Sequence, residues 1–389
     1  MRIVIVSPAV PHPFGETGAR SLYVLVTGLL ARGAEVACLV ANQEPGTRVA
    51  EARELLERVP GAKNLELSVF PLAAPPVAIR KLRSAWRPFS ETLYAIGVRR
   101  ALQRERSAGY DVLHLEQLWT GWAGVNVPRT LLSIHQLDVI DSECRRLESF
   151  GERKAMFQMR RATRMILRGS RSVRVLTERL HERARQINPE AEYWVIPVGL
   201  DVSLYPMQPV SREAVVGLLG SMHWYPSRSA AERLLTSIWP RVKRRVPGAR
   251  LLIGGWNARR YLGHQISDSS ITLIDNIAHP GEFFSRIAVM AYAPRRGSGM
   301  KVKVLESMAY GVPVVTTAEG VEGIDYEDGV HCVVREDDEA LATAIVELLK
   351  DARQRVLMAE AARALIESRY SPAPVLSQML AVYARVRRG

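Results

Sequence analysis

Cysteine is scarce: Cys38, Cys144 and Cys332 are the three thiols of a 389-residue chain. Spread that far apart, they can neither staple a disulfide framework nor form a tetrahedral cysteine zinc site. A reducing compartment is therefore expected, the cytoplasm. Long apolar runs are also missing. The best, 22–30, contains Thr27 and Gly28 and is followed by Arg32, well short of the roughly 18–20 residues that span a bilayer. The opening MRIVIV is too short for a signal-peptide core and lacks its cleavage pattern. No H-E-x-x-H, G-x-G-x-x-G or G-x-x-x-x-G-K-[ST] occurs, so zinc-hydrolase, dinucleotide and P-loop fingerprints are all absent.

What is present is ample apolar material. Hydrophobic residues make up 47% and charged residues 24%, which excludes the disordered class. The length predicts about two domains. Lys and Arg number 53 against 40 Asp and Glu, a net charge of +13, of which +9 falls in residues 1–200. A basic half seeks an anionic partner, unless the charge is only a solvated, arginine-rich surface. A nucleic-acid binder is the alternative this charge favours. The chain has no helix-turn-helix, zinc-finger or RNP signature, so no nucleic-acid partner is expected.

Short β-branched runs alternate with helical patterns. The run 2–6 reads as a buried strand, 7–18 as a Pro/Gly loop, 19–32 as a helix with Leu22, Leu25 and Leu29 in phase, and 35–41 as the next strand. Gly33 sits where a helix-ending glycine belongs. Further strands are expected at 65–70, 112–115, 131–134, 172–176 and 193–196. The stretch 197–210 reads as a linker. The pattern then restarts with strands at 215–219, 250–253, 271–273, 289–292 and 312–316. The accompanying helices are read at 229–246, 281–287 and 301–310. Two consecutive open α/β domains follow, with ligands expected at the carboxyl ends of their strands. The acidic run 336–339 suits the start of a helix electrostatically.

The sharpest segment is APRRGSGMKVKVLESMAYGVPVVTT at 293–317. A strand ends, Gly297, Ser298 and Gly299 turn, and a helix opens on Met300, Lys301 and Lys303. Glycines allow an anion close to the backbone, and a helix start offers free N–H groups and partial positive charge. Glu306 lies one to two turns in, placed to accept from ribose hydroxyls. The other reading is a plain glycine turn with two solvated lysines.

This segment resembles the signature of the retaining family-4 glycosyltransferases, which have the GT-B fold. Their pattern has two glutamates seven residues apart, the second in a run like LEAMAxGxPVV. LESMAYGVPVV at 305–315 matches that run, so Glu306 inherits ribose binding. Ser298 stands where the first glutamate is usual, and its hydroxyl with the Gly297–Met300 amides would have to hold the donor sugar. DVLHLE at 111–116 looks like the mid-domain strand. SIH at 133–135 ends in His135, which the resemblance places near the transferred sugar. Residues 171–178 and IPVGLD at 196–201 resemble a further strand and the interdomain segment. GLLGSM at 217–222 looks like the first strand of the second domain, but the arginine and lysine usual after it are replaced by Ser221, Met222 and His223. Lys301 and Lys303 would compensate at the phosphates. Gly15 and Gly18, in the first loop, would approach donor and acceptor.

The resemblance thus implies two doubly wound Rossmann-like domains facing an interdomain cleft: 1–198 on the acceptor side, 199–371 for the nucleotide sugar, and a final helix in 372–389 crossing back. The implied reaction moves a sugar from a UDP- or GDP-sugar to an acceptor hydroxyl with retention, in polysaccharide, glycolipid or other cell-envelope glycan synthesis. It needs neither cofactor nor metal, and no D-x-D motif occurs. His135, Lys301 and Ser298 are the catalytic candidates. Gly15, Gly18, Ser221, Gly297, Gly299, Met300, Lys303 and Glu306 are the candidates for donor binding. A small-molecule acceptor, a nucleotide-sugar epimerase on the same fold, and a binder without turnover are the alternatives. Finally, 77–100 interleaves Arg80, Lys81, Arg83, Arg87, Arg99 and Arg100 with Ile79, Leu82, Trp86, Phe89, Leu93 and Tyr94. That mixture suits an anionic membrane surface, or else a helix pair with a charged outer face. The eleven Lys/Arg of 153–185, against two acids, would extend the patch.

Overall fold

A computed structural model of the chain describes residues 1–42, 46–72, 85–90, 96–137, 139–140, 149–209, 211, 213–266, 268–277 and 279–389. It contains two compact units, Met1–Gly199 with Pro372–Gly389, and Leu200–Ser371.

Among the described residues, the first unit holds a parallel sheet ordered β3-β2-β1-β4-β5-β6-β7. The strands are β1 (Arg2–Ser7), β2 (Glu35–Asn42), β3 (Leu65–Pro71), β4 (Val112–Glu116), β5 (Thr130–Ile134), β6 (Ser172–Val175) and β7 (Glu192–Val195). Near-continuous apolar runs form the central strands because both faces of a parallel sheet are covered. Ile3 to Val6 of β1 are fully buried. The helix Thr17–Leu30 buries Leu22, Leu25 and Leu29, and Gly33 follows its end at φ +74°. The last helix, Pro372–Val386, packs on it closely: a Cβ at Gly28 would lie 2.5 Å from the Leu376 side chain. The chain runs outward from β1 through β2 to β3, then returns to β4 on the other side of β1. That reversal opens a crevice beyond the carboxyl ends of β1 and β4.

The second unit repeats the plan in the order β10-β9-β8-β11-β12-β13. Its strands are β8 (Val215–Leu219), β9 (Arg250–Gly254), β10 (Ile271–Ile274), β11 (Val289–Tyr292), β12 (Val314–Thr316) and β13 (Val333–Val334). Here the reversal falls between β8 and β11. Asp337 caps the helix Asp338–Lys350 by accepting from Ala340 N at 2.8 Å, as the acidic run predicts.

Some element boundaries shift. The helix read at 229–246 starts earlier, at Tyr225, with Pro226 in its first turn. It then passes through a π-turn (Leu234–Ile238) into Trp239–Arg245. Proline is pre-shaped for a helix start, so the stretch that reads as loop is the helix's first turn. β12 starts at Val314 rather than 312, because Gly311 lies at φ +75°. The stretch read as a linker holds the boundary between the two units, after Gly199. Val198, Leu200 and Tyr205 are buried, and Leu200 N donates to Tyr370 O at 2.7 Å. No described helix is long and apolar enough to cross a membrane. Of the residues named between 77 and 100, Ile79, Arg80, Lys81, Leu82, Arg83, Leu93 and Tyr94 lie outside the described residues, as does Cys144.

Candidate active site

In the second unit the loops after β8, β9 and β11 meet at the reversal. Gly220 N donates to Gly254 O at 3.0 Å, and Met222 N to Trp256 O at 3.1 Å. Gly255, at φ +133°, lets these backbones touch, for a Cβ there would fall 2.0 Å from Gly220 O. The turn after β11 packs on the helix that follows β8, where a Cβ at Gly297 would meet Pro226 at 2.6 Å. These contacts bring Gly220, Gly297 and Lys303 to the start of the helix after β8, with Ser221 next to Gly220 and Ser298, Gly299, Met300 and Glu306 on the turn and helix that carry Gly297 and Lys303. Ser298 and Met300 are buried, Gly299 takes φ +78°, and Glu306 is 3% exposed on the helix Val302–Ala309.

The two lysines have different positions and partners. Lys303 Nζ lies 2.5 Å from Ser227 Oγ, and 4.7 and 4.8 Å from the ring centroids of Trp224 and Tyr292. Aromatic faces attract a cation without neutralising it. A Cβ on Gly220 would stand 3.0 Å from that ammonium, so glycine keeps the charge beside the backbone of the β8 loop. Lys301 faces inward, contrary to the reading of two solvated or phosphate-facing lysines. Fully buried, it donates to Gly297 O at 3.0 Å and to Gly299 O at 2.5 Å, with Glu322 Oε2 at 3.5 Å. Its contacts close the turn. One of the turn's amides is also engaged: Gly297 N donates to Glu319 Oε1 at 2.6 Å. Glu319 and Glu322, in the segment after β12, were not legible as parts of this turn.

In the first unit, Gly15, Gly18 and His135 lie along the carboxyl edge of the sheet. A Cβ at Gly15 would lie 2.6 Å from Ala19 Cβ, and one at Gly18 would lie 2.2 Å from Gln117 Nε2. Gln117, directly after β4, holds φ +70°, a costly conformation for a residue with a side chain. His135, just after β5, points Nε2 at Glu116 Oε1, 2.7 Å away. Glu116 Oε2 lies 3.0 Å from His114 Nε2, and His114 Nδ1 lies 2.6 Å from the Tyr383 hydroxyl. Arg174, also buried, donates to Ser133 Oγ at 3.2 Å and to Pro197 O at 2.9 Å. Burial pushes the Glu116 carboxyl up, but His135 and His114 outweigh it and hold the group well below the usual carboxylate range. Burial raises the Tyr383 phenol, and Glu116 adds to that. Burial also pushes the Cys38 thiol up to about 12.

Neither His114 nor Glu116 stands out in the sequence as a site residue. The available signal was their spacing, since residues two apart on a strand share a face. Among the described residues, no group of His, Cys, Asp and Glu is placed to hold a metal ion.

Two doubly wound parallel sheets, each reversing its strand order about its first strand, define the GT-B fold. The chain belongs to the glycosyltransferases of group 1. The family model described as glycosyl transferase 4-like domain matches residues 17–199, and that described as glycosyl transferases group 1 matches 213–351. No curated protein matches the sequence. Among solved structures it is similar to Anabaena HepE in complex with UDP and glucose, at 18% identity and TM-score 0.70, covering 99% of this chain and 100% of that one. It is similar to sucrose-phosphate synthase of Thermosynechococcus elongatus, at 17% identity and TM-score 0.72, covering 99% of both chains. It is also similar to S. aureus TarM in complex with fondaparinux, α-GlcNAc-glycerol and UDP, at 10% identity and TM-score 0.69, covering 98% of this chain and 99% of that one.

Proposed function

We propose that this glycosyltransferase is a retaining, metal-independent enzyme that moves a sugar from a nucleoside diphosphate sugar to an acceptor hydroxyl during cell-envelope glycan synthesis. The observation that carries the reading is the meeting of Lys303, the β8 loop and the glycine turn at the start of the helix after β8, through Ser227, Gly220 and Pro226. A departing diphosphate needs positive field placed in advance, which an ammonium and helix-start amides supply without reorganising. Lys303 and the start of the helix Val302–Ala309 hold the phosphates, Glu306 takes the ribose hydroxyls, and Ser298 stands beside the donor sugar. Lys301 acts indirectly, by fixing the turn. Front-face attack, with the leaving phosphate taking the acceptor proton, completes the retaining step. His135 is assigned to the transferred sugar by the family resemblance. Because the HepE and TarM structures hold UDP, UDP-sugars are the first donors to try. A thermal-shift and calorimetric screen of uridine, guanosine, adenosine and thymidine diphosphates and their sugars tests this. Binding of one nucleoside diphosphate family is expected, and no binding by any of them would refute the reading.

A peripheral membrane role on the cytoplasmic face is supported by the helix Phe150–Arg168. It exposes Phe150 (83%) and Phe157 (67%) among Arg153, Lys154, Arg160, Arg161 and Arg164. Trp86, 73% exposed, neighbours it, since Arg161 donates to Ala85 O at 2.7 Å. Exposed rings set among cations suit anionic headgroups, and a lipid-linked acceptor would be met there.

A further inference from the structure

We propose that Glu116, anchored through His114 to Tyr383 of the final helix, is a positioning residue that fixes the proton of His135 on Nε2. The inference rests on the reading that His135 meets the transferred sugar. It starts from three consecutive contacts, at 2.6, 3.0 and 2.7 Å, which run from Tyr383 to His114 to Glu116 to His135. His114, Glu116 and Tyr383 have no exposed surface, and His135 has 8%. A polar chain this deep is stable only if every donor meets an acceptor.

With both imidazoles neutral, one arrangement of protons satisfies all three contacts. Glu116 is ionised and only accepts, so both Nε2 atoms must carry hydrogen. His114 then has a lone pair on Nδ1, which accepts from the Tyr383 hydroxyl. His135 Nδ1, buried and without a hydrogen-bond partner in the structure, is then the ring nitrogen left with the lone pair. The charged and titratable groups facing Glu116 are His114 on β4, His135 after β5, Arg174 on β6, Cys38 on β2 and Tyr383 on the last helix. Arg174 adds a further positive charge that interacts with the carboxylate. Carboxylates that hold an imidazole in one tautomer recur in hydrolase triads, where the wrong tautomer costs turnover although the fold is intact.

The test uses the full chain labelled with 15N-histidine. In the wild type, the His135 signals should report hydrogen on Nε2. In Glu116→Gln they should move toward a mixture of tautomers. Turnover should fall by about 10–100-fold, the range for partners that orient metal-bound imidazoles, with little change in donor KM. Tyr383→Phe keeps the packing and removes the first link. It should shift the His114 signal and move the pH–activity profile in the same sense as Glu116→Gln, and it carries the test if Glu116→Gln does not fold. Unchanged His135 signals and pH profile in a folded Glu116→Gln, or in Tyr383→Phe if that variant must stand in, overturn the positioning role. Wild-type turnover in His135→Ala instead overturns the underlying assignment of His135 to the sugar, whatever the spectra show.

Discussion

Lys301 donates its ammonium to the carbonyl of Gly297, four residues earlier, at 3.0 Å, and so bends the turn after β11 back on itself. A side chain placed to greet a phosphate is instead an internal brace. Lys301→Ala should leave the Gly297 and Gly299 carbonyls and Glu322 without their buried donor. The expected loss is about 3 kcal/mol or more, the scale for breaking a buried ion pair. Thermal and urea melts check it, and a melting temperature equal to wild type would show that the brace is dispensable.

Lys303→Ala should behave in the opposite way. Folding should be nearly unchanged, while nucleoside diphosphate affinity should drop by roughly 1.5–3 kcal/mol, as for a lost charged hydrogen bond. Titration calorimetry decides it. Equal affinity in the variant would remove this lysine from the phosphates.

Glu306→Ala should weaken nucleotide binding by roughly 1–3 kcal/mol, with a larger effect on ribonucleotides than on 2′,3′-dideoxy analogues. If both classes bind the variant as they bind wild type, the ribose role fails.

Gly255→Ala forces a side chain into a backbone conformation of φ +133° against Gly220 O. The variant should be less stable by more than about 1 kcal/mol, since alanine is strained there. The urea midpoint measures this, and the crevice beside β8 should lose nucleotide affinity with it.

Glu116 sets an acid limit. Its folded-state pKa lies below the unfolded value, so its stabilising contribution is complete above about pH 4.3 and disappears as pH falls through the depressed folded value. Melting temperature against pH should fall more steeply below that point in wild type than in Glu116→Gln. Parallel curves would contradict the assignment.

Replacing Phe157 by Ser and Arg153, Arg160 and Arg164 by Glu should reduce sedimentation with anionic phosphatidylglycerol vesicles, while neutral phosphatidylcholine vesicles are little bound by either protein. Each cation near such a surface is worth about 1 kcal/mol. Equal co-sedimentation would end the membrane reading.

The strands were the legible part because burial on both faces writes them as apolar runs. β8 and β11 fall at 215–219 and 289–292, as their patterns predict. The turn at 297–299 was legible as well, because glycines and a helix start announce themselves locally. The occupants of its polar atoms were not. Lys301 looks the same in sequence whether it faces solvent or the Gly297 carbonyl, and Glu319 reaches Gly297 from 22 positions away. The π-turn at Leu234–Ile238 breaks the 3.6-residue period on which helix reading depends. His114 and Tyr383, 269 positions apart, share no local pattern at all.

The helix Pro372–Val386 has a consequence for dissection of the chain. Because it belongs with residues 1–199, the second sheet is an insert, spliced into its neighbour by two covalent crossings. A fragment ending near residue 199 would bare the seat of Leu376, Met379 and Tyr383 and precipitate. A version with 372–389 rejoined through a short tether should stay in solution, and excision of 200–371 is the cleaner cut.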